Sequence, residues 1–555
     1  MPKDFFKKSL DLLLKRQSNI LSAAFVIMGT IIFSQILGLI RQRLLVAIFG
    51  ASDTLGVYLA STKLPDFLFQ LIIAGALSSA FIPIFSDYLV KNKEKEGHKL
   101  ASTLLFVSLI IFISFSFILF IFAKEFSSLV APGFSSDQLN LMANLTRIII
   151  FGEILFIIGS FLSAILQSYN HFFIPGIASA LYNLGIILGI LFLSPFFGIF
   201  SAAYGVVLGA FIFVLMQIPF VRRLGFSFNP SMTLSSIRSS GVLDVFKLIW
   251  PRTLSIAIFQ VGTIVTVALV SFLQSPGRNY VIYDYAQTLA FAPVVLFGQA
   301  IAQAAFPVLS KEKDKLDDFK LTFITSFNQM LYLVLPFSVL FIVLRIPVVR
   351  LIYGAAQFDW DATVLTGRTL AFFSISIFAQ SLSFLISRGF YALHDTKTPL
   401  IIGTISTTTM IIIGTLFVFV YHQGVESIAF AFSIASVLNF LIMFIALDIK
   451  TKGFDKLPLI KTVTKIFLAS LFTAFALYIP IKLLDQLVFD TTRTINLILL
   501  TGISSFAGLS LYLFLTWLFN VKEASMFILL FKKIGDWRQI LTKSEETIDG
   551  TRLNP

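Results

Sequence analysis

The sequence predicts an all-α polytopic membrane protein of fourteen transmembrane helices, two six-helix lobes related by a parallel repeat plus two C-terminal helices. Three observations carry this expectation. Of 555 residues, 57% are hydrophobic and only 13% are charged, and a mean hydropathy of +0.91 is far too high for a water-soluble chain of this length. Apolar runs long enough to cross a bilayer, about 20 residues at helical rise, recur fourteen times. Basic residues, finally, gather in alternate connections.

In chain order, a basic amphipathic segment, 1–19, is expected to stay on the cytoplasmic face, because the apolar run behind it is too long for a secretory signal and lacks a small-residue cleavage site. The first lobe, 20–221, carries spans at about 20–49, 55–90, 98–123, 142–168, 173–194 and 200–221. A polar cytoplasmic linker, 222–245, contains Asn229, Pro230, Ser231 and Arg238. The second lobe, 246–450, carries spans at about 246–274, 281–310, 319–344, 364–390, 398–421 and 426–448. Helices 13 and 14, about 462–485 and 495–519, fall within 451–519, and 520–555 is a basic cytoplasmic tail.

Charge tests the count. With a cytoplasmic N-terminus, the inner segments hold 29 of the 42 Lys and Arg. The outer connections hold Lys124, Arg147, Arg278, Arg345, Arg350, Arg368, Lys482 and Arg493. An odd number of spans would scramble this positive-inside asymmetry, so both termini are expected in the cytoplasm. The net charge of +13 follows the membrane topology and is no sign of nucleic acid. The absence of Cys excludes disulfides and thiolate chemistry, and four scattered His argue against a metal cluster. The 64 Phe read as lipid-facing side chains.

The two groups of six look like copies. At a constant offset of 224, ALSSAFIPIFS (Ala76 to Ser86) falls on AIAQAAFPVLS (Ala300 to Ser310), Phe134 on Phe358, and Pro175 on Pro399. Six spans separate the copies, so they share one orientation, and in transporters built this way the substrate path runs between the halves.

Charges inside spans are costly and mark function by default. Arg41 is the foremost: it lies at hydrocarbon depth in FSQILGLIRQRLLVAIFG, on one helix face with Ser34 and Gly38. That face can line a cavity; alternatively Arg41 snorkels to the interface or pairs with an acid on a neighbouring helix. Arg43 points elsewhere and is expected to snorkel. Glu153, midway along the fourth span, is a proton-titrating group, an ion-pair partner for an arginine such as Arg41, or a polar packing residue. Arg252 and Asp284 are expected to be solvated near span ends. Asp395 to Pro399 reads as a capped inner turn that starts the next helix and positions a gate without touching substrate. Asp359 and Asp361 read as a solvated outer loop.

These motifs carry a resemblance. SQILGLIRQRLLVAIFG, KLPDFLFQLIIAGALSSAFIPIF, the WPR of Trp250 to Arg252, AIAQAAFPVLS and RGFYALHDTKTP (Arg388 to Pro399) resemble the MurJ/MviN family of lipid II flippases, within the multidrug/oligosaccharidyl-lipid/polysaccharide exporter superfamily. The resemblance implies an inner-membrane transporter of bacterial cells, not an enzyme. It would flip an undecaprenyl-diphosphate-linked peptidoglycan precursor to the outer leaflet for cell wall synthesis, acting as a monomer among membrane lipids without a cofactor. Arg41 matches the family's second arginine on helix 1 and becomes the first choice for a head-group ligand; Lys63 matches the lysine of its KLP motif, as a second cationic contact or a residue held against the Pro65 kink. Where many members carry further cavity arginines, the matched positions here are Gln35, Phe69 or Gln70, and Thr288. Gln35, Gln70, Thr288, Ser34 and Gly38 join the candidate substrate contacts, with Arg252, Arg388, Asp395 and Pro399 as gating or structural residues. Thr407, Thr408 and Thr409 stand where some members place sodium ligands, so sodium coupling is not expected. The alternatives are export of another lipid-linked oligosaccharide, drug/cation antiport, a membrane glycosyltransferase, or a scaffold that no longer transports.

The topology makes a prediction for this cysteine-free chain. An engineered cysteine at Ser52 should react with a membrane-impermeant reagent from outside and one at Ser310 only from inside; labelling of both from one side overturns the span count.

Overall fold

The computed structural model describes residues 20–74, 81–230, 242–355, 357–487 and 494–524. The N-terminal segment 1–19, the GALSS part of the GALSSAFIP motif, most of the linker and the tail beyond 524 lie outside the described residues, as do the Trp250 and Arg252 side chains. Every described element is a helix. Eleven of them are long and apolar enough to span a membrane, or twelve if the pair Trp360–Ser374 and Ile377–Ala392, bent by 41°, is one span. The protein is thus a multi-pass membrane protein. The expected fourteen includes the second and seventh spans, which run through undescribed residues or side chains.

The helices in order are α1 (Ile20–Phe49), α2 (Asp53–Ser61), α3 (Lys63–Phe69), α4 (Ile82–Val90), α5 (Glu94–Ile121), α6 (Ala123–Val130), α7 (Ser136–Ser168), α8 (Phe173–Phe197), α9 (Phe200–Arg223), α10 (Val242–Ser271), α11 (Pro276–Pro293), α12 (Ala300–Lys311), α13 (Leu316–Val343), α14 (Arg345–Tyr353), α15 (Trp360–Ser374), α16 (Ile377–Ala392), α17 (Lys397–Thr415), α18 (Val425–Lys450), α19 (Lys456–Leu487) and α20 (Thr494–Leu518). The 224-residue offset read from sequence recurs in these bounds. The π-helical turn Gln70–Ala74 that interrupts the second span has its counterpart in Val294–Gln299. The left-handed residues Asn170 and Gly198 correspond to His394 and His422. Ser135, which caps α7 in a reciprocal capping box with Gln138, corresponds to Asp359, whose Oδ1 accepts the Ala362 N–H at 2.8 Å and starts α15. Asp359 is therefore a cap as well as a loop residue, a role its position before an apolar run already allows.

By packing, the described residues fall into two compact units, within Met1–Gln287, Ile352–Thr369 and Leu400–Ala435 for the first, and within Thr288–Leu351, Leu370–Pro399 and Ser436–Pro555 for the second. In the first unit, α8 and α9 pack through glycine: Gly185 meets the backbone of Gly209, and Gly189 that of Gly205. Small residues let helix backbones approach where lipid offers no hydrophobic drive for association. A phenylalanine-rich core of Phe81, Phe85, Phe112 and Phe161 joins α4, α5 and α7. In the second unit, α13 stacks Phe323 on Phe454 with ring centroids 5.2 Å apart, and Tyr512 of α20 donates to the Tyr332 carbonyl at 2.7 Å. Large apolar side chains such as Phe117 and Phe506 point outward, 64% and 76% exposed, as lipid-facing residues should.

One approach in the first unit has no room for a side chain. Gly56 of α2 lies against the Gly277 carbonyl at the start of α11, and Gly277 in turn against the Asp53 backbone; a Cβ at either would overlap main chain, which cannot swing away. Gly56→Val should therefore lower thermal stability by about 1 to 3 kcal/mol, the usual cost of overpacking. Unchanged stability measured by thermal unfolding in detergent would show that the contact yields freely.

Candidate functional site

The charges of the first unit converge where α1, α2, α3, α7, α8 and α11 meet. Helix α3 begins at Thr62 after a break, carries Pro65 in its first turn, and ends in the π-helical turn. Lys63 and Asp66 are three residues apart and share a face of this short helix. Lys63 Nζ pairs with Asp284 Oδ1 of α11 at 3.2 Å, the side chains 20% and 17% exposed, and also stands 5.7 Å over the Tyr280 ring. This corrects the expectation for Asp284. It sits beside a lysine that needs an answering charge, so it is drawn into a half-buried ion pair rather than solvated at an interface.

Glu153 of α7 is buried, 6% exposed. No ion pair joins it to Arg41 among the described residues; its neighbour on α3 is the Asp66 carboxyl, while the Thr62 hydroxyl donates to the Leu59 carbonyl at 3.0 Å. Arg41 is half-buried, and its charge reaches Asp66 as well as the phenols of Tyr58, Tyr182 and Tyr285. Its guanidinium makes no hydrogen bond or ion pair with another described residue. The neighbouring positions behave differently. Gln42 accepts from Tyr285 at its carbonyl, 3.1 Å, and from Tyr353 at its Oε1, 3.0 Å. Arg43 is exposed but does more than snorkel: it donates to the carbonyls of Ile352 and Gly354, at 3.4 and 3.2 Å. Those carbonyls belong to the end of α14, where cations are favoured by the helix dipole.

The other candidates are spread more widely. Ser34 and Gly38 face α8: Asn183 Nδ2 donates to the Ser34 carbonyl and hydroxyl, both at 3.3 Å, and its Oδ1 lies 4.0 Å from where a Gly38 Cβ would stand. The face shared with Arg41 is thus a helix contact along this part. Gln35 is exposed, and Gln70 is half-buried in the π-helical turn. Thr288 belongs to the second unit. There, too, Arg388 lies over the Phe306 ring at 5.5 Å. Asp395 Oδ1 accepts the N–H groups of Lys397 and Thr398 at 3.1 and 3.0 Å, and its Oδ2 accepts from Thr398 Oγ1 at 2.8 Å and from Lys450 Nζ at 2.6 Å. Burial pulls against ionisation, yet these donors win and hold the Asp395 carboxyl down at about 2. The loop is the capped turn its sequence describes, with Pro399 in the first turn of α17. Arg252 lies outside the described side chains.

Two residues of the cluster went unread in the sequence: Asp66, directly after the KLP motif, and Asp284 as an ion-pair partner. The signal for Asp66 was its three-residue spacing from Lys63; nothing local pointed to Glu153 as its neighbour.

A family model described as lipid II flippase MurJ matches residues 45–498. A probable lipid II flippase MurJ of Buchnera aphidicola subsp. Schizaphis graminum is 28% identical over 499 residues, covering 87% of this chain and 95% of its own length. A solved lipid II flippase MurJ in an inward closed conformation is 26% identical, with a TM-score of 0.73, covering 89% of this chain and 98% of that one. An inward-facing multidrug resistance transporter of the MATE family, 14% identical with a TM-score of 0.63 and covering 77% of this chain and 98% of that one, shares the fold.

The Lys63 and Asp284 pair predicts a specific non-additivity. Lys63→Ala strands a half-buried carboxylate and should destabilise more than the double variant Lys63→Ala with Asp284→Ala, with a coupling energy of about 1 to 3 kcal/mol. Additive losses in thermal unfolding would mean the pair contributes nothing.

Proposed function

We propose, on the premise that this chain belongs to the MurJ family of lipid II flippases, that it carries an undecaprenyl-diphosphate-linked peptidoglycan precursor from the inner to the outer leaflet of the bacterial cytoplasmic membrane. A charged diphosphate sugar cannot cross hydrocarbon unaided, so a protein must offer it polar and cationic partners at membrane depth. The observation that carries the reading is Arg41: a guanidinium within a membrane span, half-buried, with no hydrogen bond or ion pair among the described residues. A planar fork of donors suits two phosphate oxygens. Lys63, by contrast, already has Asp284, and contributes to the site as part of that pair.

In this reading Gln35, Gln70 and Thr288 supply neutral hydrogen bonds to head group or sugar, and Ser34 and Gly38 keep α1 seated on α8 so that Arg41 is held at its depth. The lobes 20–221 and 246–450 alternate between inward and outward opening, helices 13 and 14 are an addition to them, and both termini stay in the cytoplasm. The Arg388 to Pro399 loop positions a gate at the inner face, with Asp395 fixing its turn. The protein works as a monomer and uses neither nucleic acid nor cofactor.

Complementation tests the reading. In cells depleted of their own lipid II flippase, this chain should restore precursor exposure on the outer leaflet. Arg41→Ala should reduce it at least tenfold at equal membrane abundance, the value of a charge-assisted hydrogen bond of about 1.5 to 3 kcal/mol, and Arg41→Lys should recover part of it. Full activity of the alanine variant would remove Arg41 from the site.

A further inference from the structure

We propose that a cavity in the first unit, where α7 turns into α8, receives a neutral N-acetylated sugar and, resting on the reading above, that this sugar belongs to the lipid-linked precursor. The cavity measures about 350 Å³. That lies in the range of small-ligand sites, which are mainly apolar with a few placed polar groups. Gln167 and Ser163 come from the last two turns of α7, Phe172 and Ser179 from the start of α8, Thr30 from α1 and Phe213 from α9.

The local chain explains the opening. Asn170, in the left-handed region, reverses the chain and brings Gln167 and Phe172 to the same cavity. Gly176, in the first turn of α8, lies directly against the Thr30 side chain, so a Cβ there would displace it. The glycine lets α1 and α8 close one end of the cavity without filling it. Ser163 Oγ donates to Gln217 Oε1 at 2.8 Å, which leaves its lone pairs to accept. Gln167 is half-buried, and its amide makes no hydrogen bond with another described residue, so it offers both a donor and an acceptor.

These groups select the ligand. Among the described residues no charged side chain lines the cavity, which disfavours a phosphate or an ammonium group there. A plain acyl chain would leave the amide and the hydroxyls without partners. A sugar ring meets both demands: its hydroxyls exchange hydrogen bonds with Ser and Thr, its C–H face lies on an aromatic ring, and an acetamido group presents one N–H and one C=O to the Gln167 amide. At the offset of 224, Gln167, Gly176, Ser179 and Thr30 fall on Tyr391, Leu400, Gly403 and Leu254. The second copy keeps none of these four, so they are not requirements of the repeated fold.

The position relative to Arg41 suits one extended ligand. Thr30 and Arg41 are eleven residues apart on α1, about 16 Å by helical rise. Ile31 and Gln35, both exposed, lead along α1 from the cavity, beside the stretch that Asn183 covers. A diphosphate held at Arg41 and followed by two sugar rings covers that distance and brings the far ring to the cavity.

The test uses the full chain in a detergent without sugar head groups. By saturation-transfer NMR, the wild type should bind the methyl glycoside of N-acetylglucosamine about tenfold more tightly than that of glucose. Gln167→Leu, which keeps the space and removes the amide, should abolish that preference, and Gln167→Phe, which fills the space, should abolish binding of both. Absent or equal binding of the two glycosides by wild type, or binding unchanged in the variants, overturns the cavity as a sugar site. Calorimetry then identifies the source. Gln167→Leu should weaken binding of a water-soluble short-chain lipid II about tenfold and leave a short-chain prenyl diphosphate, which has no sugar, unaffected. Equal affinity of Gln167→Leu and wild type for lipid II assigns the cavity to a free amino sugar and overturns the precursor as its ligand. No binding of lipid II to folded wild type overturns the functional reading and the precursor together, while the glycoside titration still decides whether the cavity takes a sugar.

Discussion

Every ionised group taken to membrane depth must be answered by another, and the centre of the first unit is arranged around that requirement. Lys63 is answered by Asp284, 3.2 Å away across 221 residues of chain. Asp66 lies within electrostatic reach of Lys63 and Arg41. The site thus balances its charges while keeping one guanidinium whose hydrogen-bonding edges are not spent on any other described residue. A cation neutralised at short range by its own acid would be cheaper to bury and useless for capturing an anion. Placing the compensating charge within electrostatic reach but off the guanidinium edges solves both demands.

Local packing serves the same end. The break at Thr62, Pro65 and the π-helical turn at Gln70–Ala74 confine Lys63 and Asp66 to a two-turn helix between α2 and the rest of the span. A π-helical turn inserts a residue into the hydrogen-bonding ladder and re-aims the turns before it relative to the turns after it. Val294–Gln299 repeats this device at the equivalent place of the second copy, but there the positions corresponding to Lys63 and Asp66 are Gln287 and Ala290. Duplication preserved the bend and left the charges on one copy only.

The architecture was legible because its causes are additive along the chain. Hydropathy gives spans, and the 224-residue register survives in turn residues as far apart in type as Asn170 and His394, both left-handed. Arg41 was legible because one charge in an apolar run needs no partner to be noticed. The pairings were not. Asp284 looked like a span-end residue, and Glu153 looked as ready to meet Arg41 as anything else, because which of several buried charges becomes a neighbour is decided by helix packing between distant segments. Ser34 and Gly38 were legible as a face shared with Arg41, but that Asn183 of α8 would pack on it was not.

The bare main-chain contact of Gly56 with Gly277 has a further bearing on how such a molecule works. Interlocked leucines would have to climb past one another to part, against a barrier of side-chain strain. Two glycines meet as flat surfaces: their attraction is short-ranged and loses about a quarter to a half of its strength over the first ångström of separation. A seam of that kind comes apart abruptly under a small pull and re-forms without any rotamer search, the mechanical character of a clasp rather than of a weld.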